Sequence, residues 1–525
     1  MPTDQEIKAG LASEPVAQIM EKEDVVDADV LAAMGYKEEL RRRYSTIQVF
    51  AIAFSIMGLL PSIASTLSFS VPGGPAAMVW GWFMASGFIF IVGLAMADLG
   101  SALPTSGGLY WWTHYFAADK WKNPLSFLVG YSNTIGLIGG ICSINYGFAR
   151  MLLSLVSLGG DGTWTPSTYA VYGTFVATAI VHGIFATFAA GIMHRIQSVC
   201  IMANVGLVLA TAIALPIGKS RTAEGINSGA YVFTHVENLT TWPTGWAFML
   251  AWLSPIWTIG AFDSCVHMSE EATNAAKAVP YGILGSIGAC WSLGFLSLCI
   301  IAACMNKDLA SILNSPFGQP MTQVYYDALG KNGALGFMTV VTVVQFFMGL
   351  SILISASRQS WAFSRDGALP FSSFWRVVSK RIRYQPIRAV WGCVGGSIII
   401  GLLCLINPAA ANALFSLCVA GNDLAWAIPI FCRIFWGQDK FRPGAFYTGR
   451  FSKAIAITAL VYLSFSITLS MFPTLGPNPS ATDMNYTVVI NVALWGSSLT
   501  YYFVSARKWY KGPKATLDDP MAVDS

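Results

Sequence analysis

Two stretches decide how this chain folds: Phe54-Ser55-Ile56-Met57-Gly58-Leu59-Leu60-Pro61-Ser62 in its first half and Trp257-Thr258-Ile259-Gly260-Ala261-Phe262-Asp263-Ser264 in its second. Each is a glycine break among small polar residues, inside an apolar run that would otherwise simply cross a bilayer. Hydrocarbon offers no partner to free N–H and C=O groups, so non-helical backbone at membrane depth survives only where it is buried in protein or lines a cavity. Breaks at matching places in two halves of a chain point to a substrate site between them.

The composition agrees with a membrane setting. Of 525 residues, 54% are hydrophobic and only 11% charged, with a mean hydropathy of +0.56. That leaves too little polar surface for a soluble domain and places the chain in the lipid bilayer as an all-α polytopic protein. A net charge of +4 does not signal nucleic acid, because the basic residues gather on one membrane face. The ten cysteines lie inside or beside apolar runs with neither disulfide nor zinc spacing, and read as small packing residues. Residues 1–36 lack the apolar core of a secretory signal. The acidic segment 1–43 has the composition of a disordered, solvating tail, and 506–525 forms a second tail.

A spanning helix needs about 20 mainly apolar residues, and that rule places twelve within 44–505: 45–67, 76–97, 124–155, 169–188, 196–216, 245–265, 282–303, 336–355, 389–406, 409–432, 454–472 and 488–504. Counting Lys and Arg in alternate loops sets the orientation. One face gathers Arg41, Arg42, Arg43, Lys120, Lys122, Arg195, Lys277, the block from Arg358 to Arg388, and the basic residues after Arg433 and Arg507. The other keeps Lys219, Arg221, Lys307 and Lys331. Both termini are therefore expected in the cytoplasm, and the sequons at Asn238 and Asn485 fall outside. Glycines crowd the third span (Gly130, Gly136, Gly139, Gly140, Gly147) and the ninth (Gly392, Gly395, Gly396, Gly401). They read as close-packing positions ahead of substrate contacts.

No His-Glu-x-x-His is present, and Gly218-Lys219-Ser220 has Ile213 where a phosphate-binding loop needs glycine. The five histidines show no metal-ligand spacing. Neither an enzyme nor a bound cofactor or metal is expected. Ionisable residues at membrane depth are functional candidates by default. Asp263 is the sharpest, directly after the second break; His182 and Asp423 also lie inside spans, with His182 read as structural. At each break the half-helix that begins offers free amides and a positive dipole end, suited to a carboxylate. The half-helix that ends leaves free carbonyls, suited to an ammonium. Together they describe a pocket for a small zwitterion, with Trp257 and Phe262 as walls able to face a cation.

At these residues the chain resembles the amino acid/polyamine/organocation permease superfamily, and within it the fungal 4-aminobutyrate (GABA) permeases of the amino acid/choline branch. The resemblance rests on 53–63, on Pro104-Thr105-Ser106-Gly107-Gly108-Leu109-Tyr110, on 257–271, on Ser357-Arg358 with 361–366, and on Leu414-Phe415-Ser416-Leu417 with Ala420-Gly421-Asn422. It runs from about residue 35 to 510, leaving only the tails outside. It implies a leucine-transporter-type fold, with 45–217 and 244–432 as inverted repeats and 453–505 peripheral, and proton-coupled uptake by alternating access. Carried over residue by residue, it assigns substrate contacts to Ser55, Ile56, Met57, Gly58, Thr258, Gly260 and Ala261, pocket walls to Trp257 and Phe262, a further contact to Asn422, and gating or coupling to Asp263. Some bacterial relatives place a lysine in the fifth span; 196–216 has none, which leaves the coupling residue unassigned. Related carriers move choline, polyamines or thiamine. A zwitterion is favoured because each half offers a glycine-broken carboxylate site beside a lone acid. A nutrient-sensing receptor of the same fold would bind without flux, and a channel would conduct without accumulating.

Overall fold

Almost every apolar run is helical in the computed structural model, which describes residues 27–40, 42, 44–188, 193–382, 384–480, 483–514 and 523–524. A short helix, α1 (Asp27–Ala33), precedes α2 (Thr46–Met57), α3 (Leu59–Ser70), α4 (Gly74–Ala102), α5 (Gly108–Phe116), α6 (Lys122–Gly159), α7 (Thr168–Phe188) and α8 (Met193–Ser220). The second half holds α9 (Gly229–Thr234), α10 (Thr244–Leu250), α11 (Leu253–Thr258), α12 (Ser264–His267), α13 (Ala275–Cys304), α14 (Leu309–Leu313), α15 (Pro320–Arg365), α16 (Ser372–Trp375), α17 (Ile387–Ile400) and α18 (Pro408–Phe435). Two further helices, α19 (Ser452–Ser470) and α20 (Thr487–Val504), complete the bundle. The sheet among the described residues is one parallel pair, Val378–Ser379 with Val523–Asp524.

Among the described residues, ten helical runs are long and apolar enough to cross a membrane. One of them, Thr46–Ala102, contains two expected crossings. The sixth expected crossing is cut into α10, α11 and α12, none of membrane length. The two broken stretches thus account for ten runs where the sequence leads one to expect twelve.

Small residues bring the central helices together, since lipid gives helices no hydrophobic reason to associate. A Cβ on Gly136 would strike Asn422 of α18, one on Gly140 would strike Ile352 of α15, and one on Gly130 the ring of Phe363. The glycines of α6 therefore wedge it between α15 and α18, while α4 packs along α13. The expected span 336–355 is the middle of a longer helix, α15, kinked at Gly330 (φ 70°, ψ −178°). Hydropathy falls where Arg358, Gln359, Ser360, Ser364 and Arg365 begin, yet these residues are buried against neighbouring elements and the helix runs on through them.

Part of the acidic tail expected to be disordered is ordered here. The Asp27 carboxylate accepts from the amides of Asn274 (2.7 Å) and Ala275 (3.0 Å), where α13 starts. A carboxylate at a helix N-terminus satisfies amides that have no intrahelical partner. Residues 1–26, and Arg41, Arg43 and Arg383 of the charge count, lie outside the described residues.

Candidate functional site

Both breaks are open, by different means. Gly58 separates α2 from α3 with φ 34° and ψ 74°, in the left-handed region that glycine tolerates best. A Cβ there would also collide with Met348 of α15. In the second half, turns replace helix from Ile259 to Asp263. Among the described residues, the amides of Ala261, Phe262 and Asp263 and the carbonyls of Thr258, Ile259 and Gly260 make no well-formed hydrogen bond. Buried backbone groups are rarely left unpaired, so this turn holds donors and acceptors that a solute could use.

Of this turn, Thr258, Gly260 and Ala261 line a small cavity together with Ile56, Ser62, Gly140, Ile144, Trp257, Ile352, Cys418 and Asn422. The Thr258 hydroxyl is buried there without a partner. The structure thus brings Ile56, Trp257, Thr258, Gly260, Ala261 and Asn422 to one space. Ser55, Met57 and Phe262 point elsewhere: Ser55 Oγ meets Ser351 Oγ at 3.1 Å, Met57 Sδ lies 3.4 Å from Cys290 Sγ, and the Phe262 ring lies 4.4 Å from that of Trp426. Gly58 forms the break itself. The free space, counted as the volume open to the centre of a water-sized sphere, is about 20 Å³. That is room for a water molecule and not for an amino acid, so the cavity is shut.

Asp263 sits behind this cavity, fully buried. Its Oδ2 accepts from Asn133 Nδ2 of α6 (3.0 Å) and Trp426 Nε1 of α18 (3.1 Å). Asn133 Nδ2 also reaches Asn422 Oδ1 (3.2 Å), which ties Asp263 to the cavity wall.

A family model for amino acid permeases matches residues 44–494. The chain belongs to the amino acid permease family. The permease is 46% identical to the GABA-specific permease of Saccharomyces cerevisiae, over 94% of this chain and 87% of that protein. It is 33% identical to an uncharacterized amino-acid permease of Schizosaccharomyces pombe, over 94% and 90% of the two chains. Against amino-acid permease 2 of Neurospora crassa the identity is 28%, with 94% and 90% covered. These relatives are permeases rather than enzymes, and the chain is a multi-pass membrane protein of their kind.

The two ends of the permease are closed unequally. At one end the segments carrying Tyr36 and Lys514 converge on Asp366, which accepts from Tyr110 Oη (2.6 Å), Tyr36 Oη (3.0 Å) and the amide of Lys514 (3.2 Å). Beside it, Arg365 grips Glu270 with two bonds (2.9 and 3.0 Å), its guanidinium over the rings of Tyr36 and Trp361. Arg358 pairs with Glu271 at 2.8 Å. Burial alone would raise the Glu270 pKa, but Arg365, the Ser106 amide and Thr105 outweigh it and hold this carboxyl below the ordinary value.

The helix α13 starts at this end and runs 30 residues, about 45 Å at 1.5 Å per residue, so its C-terminus and the neighbouring α14 lie at the opposite end. There a vestibule of about 560 Å³ is lined by Ser68, Phe69, Leu253, Leu313, Asn314, Ser416 and Asn485, among others. Phe415 divides it from the shut cavity, with its ring centroid 4.9 Å from that of Trp257 and 5.7 Å from that of Phe69. Trp257 is held in turn by its Nε1 on Ser143 Oγ (3.0 Å).

Sequence reasoning missed the partners of Asp263 and the Glu270–Arg365 pair. Asn133 and Trp426 are far away in sequence and neutral, so nothing local marks them. His267 is different: it lies four residues after Asp263, the spacing of one helical face.

Proposed function

We propose that this permease imports GABA, or a related small zwitterionic amino acid, in symport with a proton by alternating access across the plasma membrane, with both chain ends in the cytoplasm. The observation that carries the reading is the run of free amides and carbonyls from Thr258 to Asp263 beside Trp257. The amides of Ala261, Phe262 and Asp263 suit a carboxylate, and the carbonyls of Thr258, Ile259 and Gly260 suit an ammonium. The break at Gly58, flanked by Ser55, Ile56 and Met57, supplies the facing half, and Asn422 closes the side. The S. cerevisiae relative's specificity for GABA, at 46% identity, favours this solute over choline, polyamines or thiamine.

A proton makes such uptake concentrative. A neutral zwitterion gains nothing from the membrane potential. One co-transported positive charge gains about 2.3 kcal/mol per 100 mV, which supports roughly fifty-fold accumulation. The test is uptake of labelled GABA, choline, putrescine and proline in permease-deficient yeast cells expressing this chain, with and without a protonophore. GABA uptake against its gradient, abolished by the protonophore, is the expected result. Preferential uptake of choline or putrescine would overturn the zwitterion reading, and binding without flux would make the chain a receptor.

A further inference from the structure

One turn beyond Asp263, His267 is fully buried. Its Nε2 lies 3.5 Å from Asp263 Oδ2, in ion-pair range but without a hydrogen bond in this conformation. Its Nδ1 lies 3.1 Å from the carbonyl oxygen of Ser106. A carbonyl only accepts, so Nδ1 carries a hydrogen. If the ring were neutral, Nε2 would aim a lone pair at an ionised carboxylate. The contact is favourable only with one more proton. Asn133 and Trp426 already donate to Oδ2, while Oδ1 has no partner; the geometry suits an imidazolium facing a carboxylate.

The other charged groups nearby leave this pair without a fixed cation. Glu270, three residues on, is neutralised by Arg365 of α15, and Glu271 by Arg358. Asp423 of α18 lies close enough for the Asp263 charge to act on it, and is held by Ser466 of α19 at 2.5 Å. Cys265 and Cys418 are the thiols that feel Asp263. When the proton leaves, a net negative charge stands uncompensated among fully buried side chains, which is costly.

We propose that His267 is the proton carrier of the transport cycle, loaded as an imidazolium against Asp263 and emptied toward the end that holds the Glu270–Arg365 pair and Asp366. This rests on the symport reading above. The release route is built into one residue: the Ser106 carbonyl holds His267, while the Ser106 amide donates to Glu270 Oε1 at 3.1 Å. A swing of α12 together with the turn Ser269–Glu271 that follows it, separating Glu270 from Arg365, also carries His267 off Ser106. Proton and solute then leave on the same side in one movement. Occlusion requires the proton because the unloaded pair would have to be buried charged.

The test uses the full chain reconstituted in proteoliposomes with labelled GABA outside and a pH dye inside, comparing wild type with His267→Gln, whose amide still donates to Ser106. The expected result is that His267→Gln loses GABA-driven proton entry and the stimulation of uptake by external acid. Its accumulation ratio falls from roughly fifty-fold to about one. His267→Lys, which keeps a cation but cannot readily shed it, is expected to bind GABA, read as a thermal shift, and to exchange it independently of pH; this arm applies even if the glutamine variant fails to fold. A wild-type proton-to-GABA ratio in His267→Gln, or wild-type pH dependence in His267→Lys, would overturn the proposal alone. Wild-type protein that moves GABA without protons would overturn the symport reading together with it.

Discussion

At the scale of single residues, two positions carry measurable consequences. Gly58→Ala forces a side chain into left-handed backbone, a cost of about 1–2 kcal/mol, and drives its Cβ into Met348, where overpacking adds about 1–3 kcal/mol. Thermal unfolding of the purified protein should fall by several degrees and uptake should drop. Adding Met348→Ala relieves the collision but leaves the backbone strain, so recovery should be partial; full recovery would show that the backbone at Gly58 is unstrained. His114, in α5 outside the spanning helices, is pushed down to about 4 by burial and by the Lys122 charge, with its Nε2 3.1 Å from Asn123 Oδ1. The unfolded chain takes up that proton near the ordinary histidine value, so the folded state loses stability as pH falls from about 6.5 toward 4, by at most about 3 kcal/mol, and is indifferent to this group above that window. The melting temperature of wild type should therefore decline more steeply than that of His114→Gln over this range. Parallel curves would remove His114 from the pH response.

Elements explain what was legible in the sequence and what was not. The breaks were legible because glycine and small polar residues interrupt apolar runs, and the close approach of α6 to α15 and α18 was legible from glycine density. The continuation of α15 past its apolar stretch was not, because hydropathy cannot distinguish a helix leaving the membrane from one whose polar face is buried in protein. Nor was the convergence of Asn133, Trp426 and His267 on Asp263, which depends on how three elements cross. The extra turns of α15 deliver Arg358 and Arg365 to Glu271 and Glu270. Removing one member of a buried ion pair is expected to cost about 3–5 kcal/mol, because its partner stays charged and unpaired, while removing both costs less. Arg365→Gln should therefore open the Asp366 end and reduce net uptake more than Glu270→Gln/Arg365→Gln does. Initial uptake rates, normalised to surface abundance, check the order, and a double variant no better than the single one would mean that the pair does not act as a lock.

For the whole molecule, unequal closure of the two ends makes a directional statement. The vestibule, the aromatic layer of Phe415 and Trp257, the shut cavity and the double ion-pair layer lie in sequence from one end to the other. Such a chain is closed at the Asp366 end and closer to opening at the vestibule end, which is the end from which the proposed carrier would admit solute. The native cysteines make this testable with impermeant maleimides, because nine of the ten are buried and Cys299 is half-buried, so background labelling should be low. Asn314, exposed at the vestibule rim, and Ser373, exposed on the α16 segment beyond Asp366, mark the two ends. In intact cells Asn314→Cys should label and Ser373→Cys should not; after permeabilisation both should. Saturating GABA should slow labelling of Asn314→Cys if solute draws the molecule toward its opposite opening, since a ligand shifts a conformational equilibrium only by its differential affinity for the two states. Labelling of Ser373→Cys in intact cells would invert the orientation and place the vestibule in the cytoplasm, turning the carrier from an importer into one that loads from within.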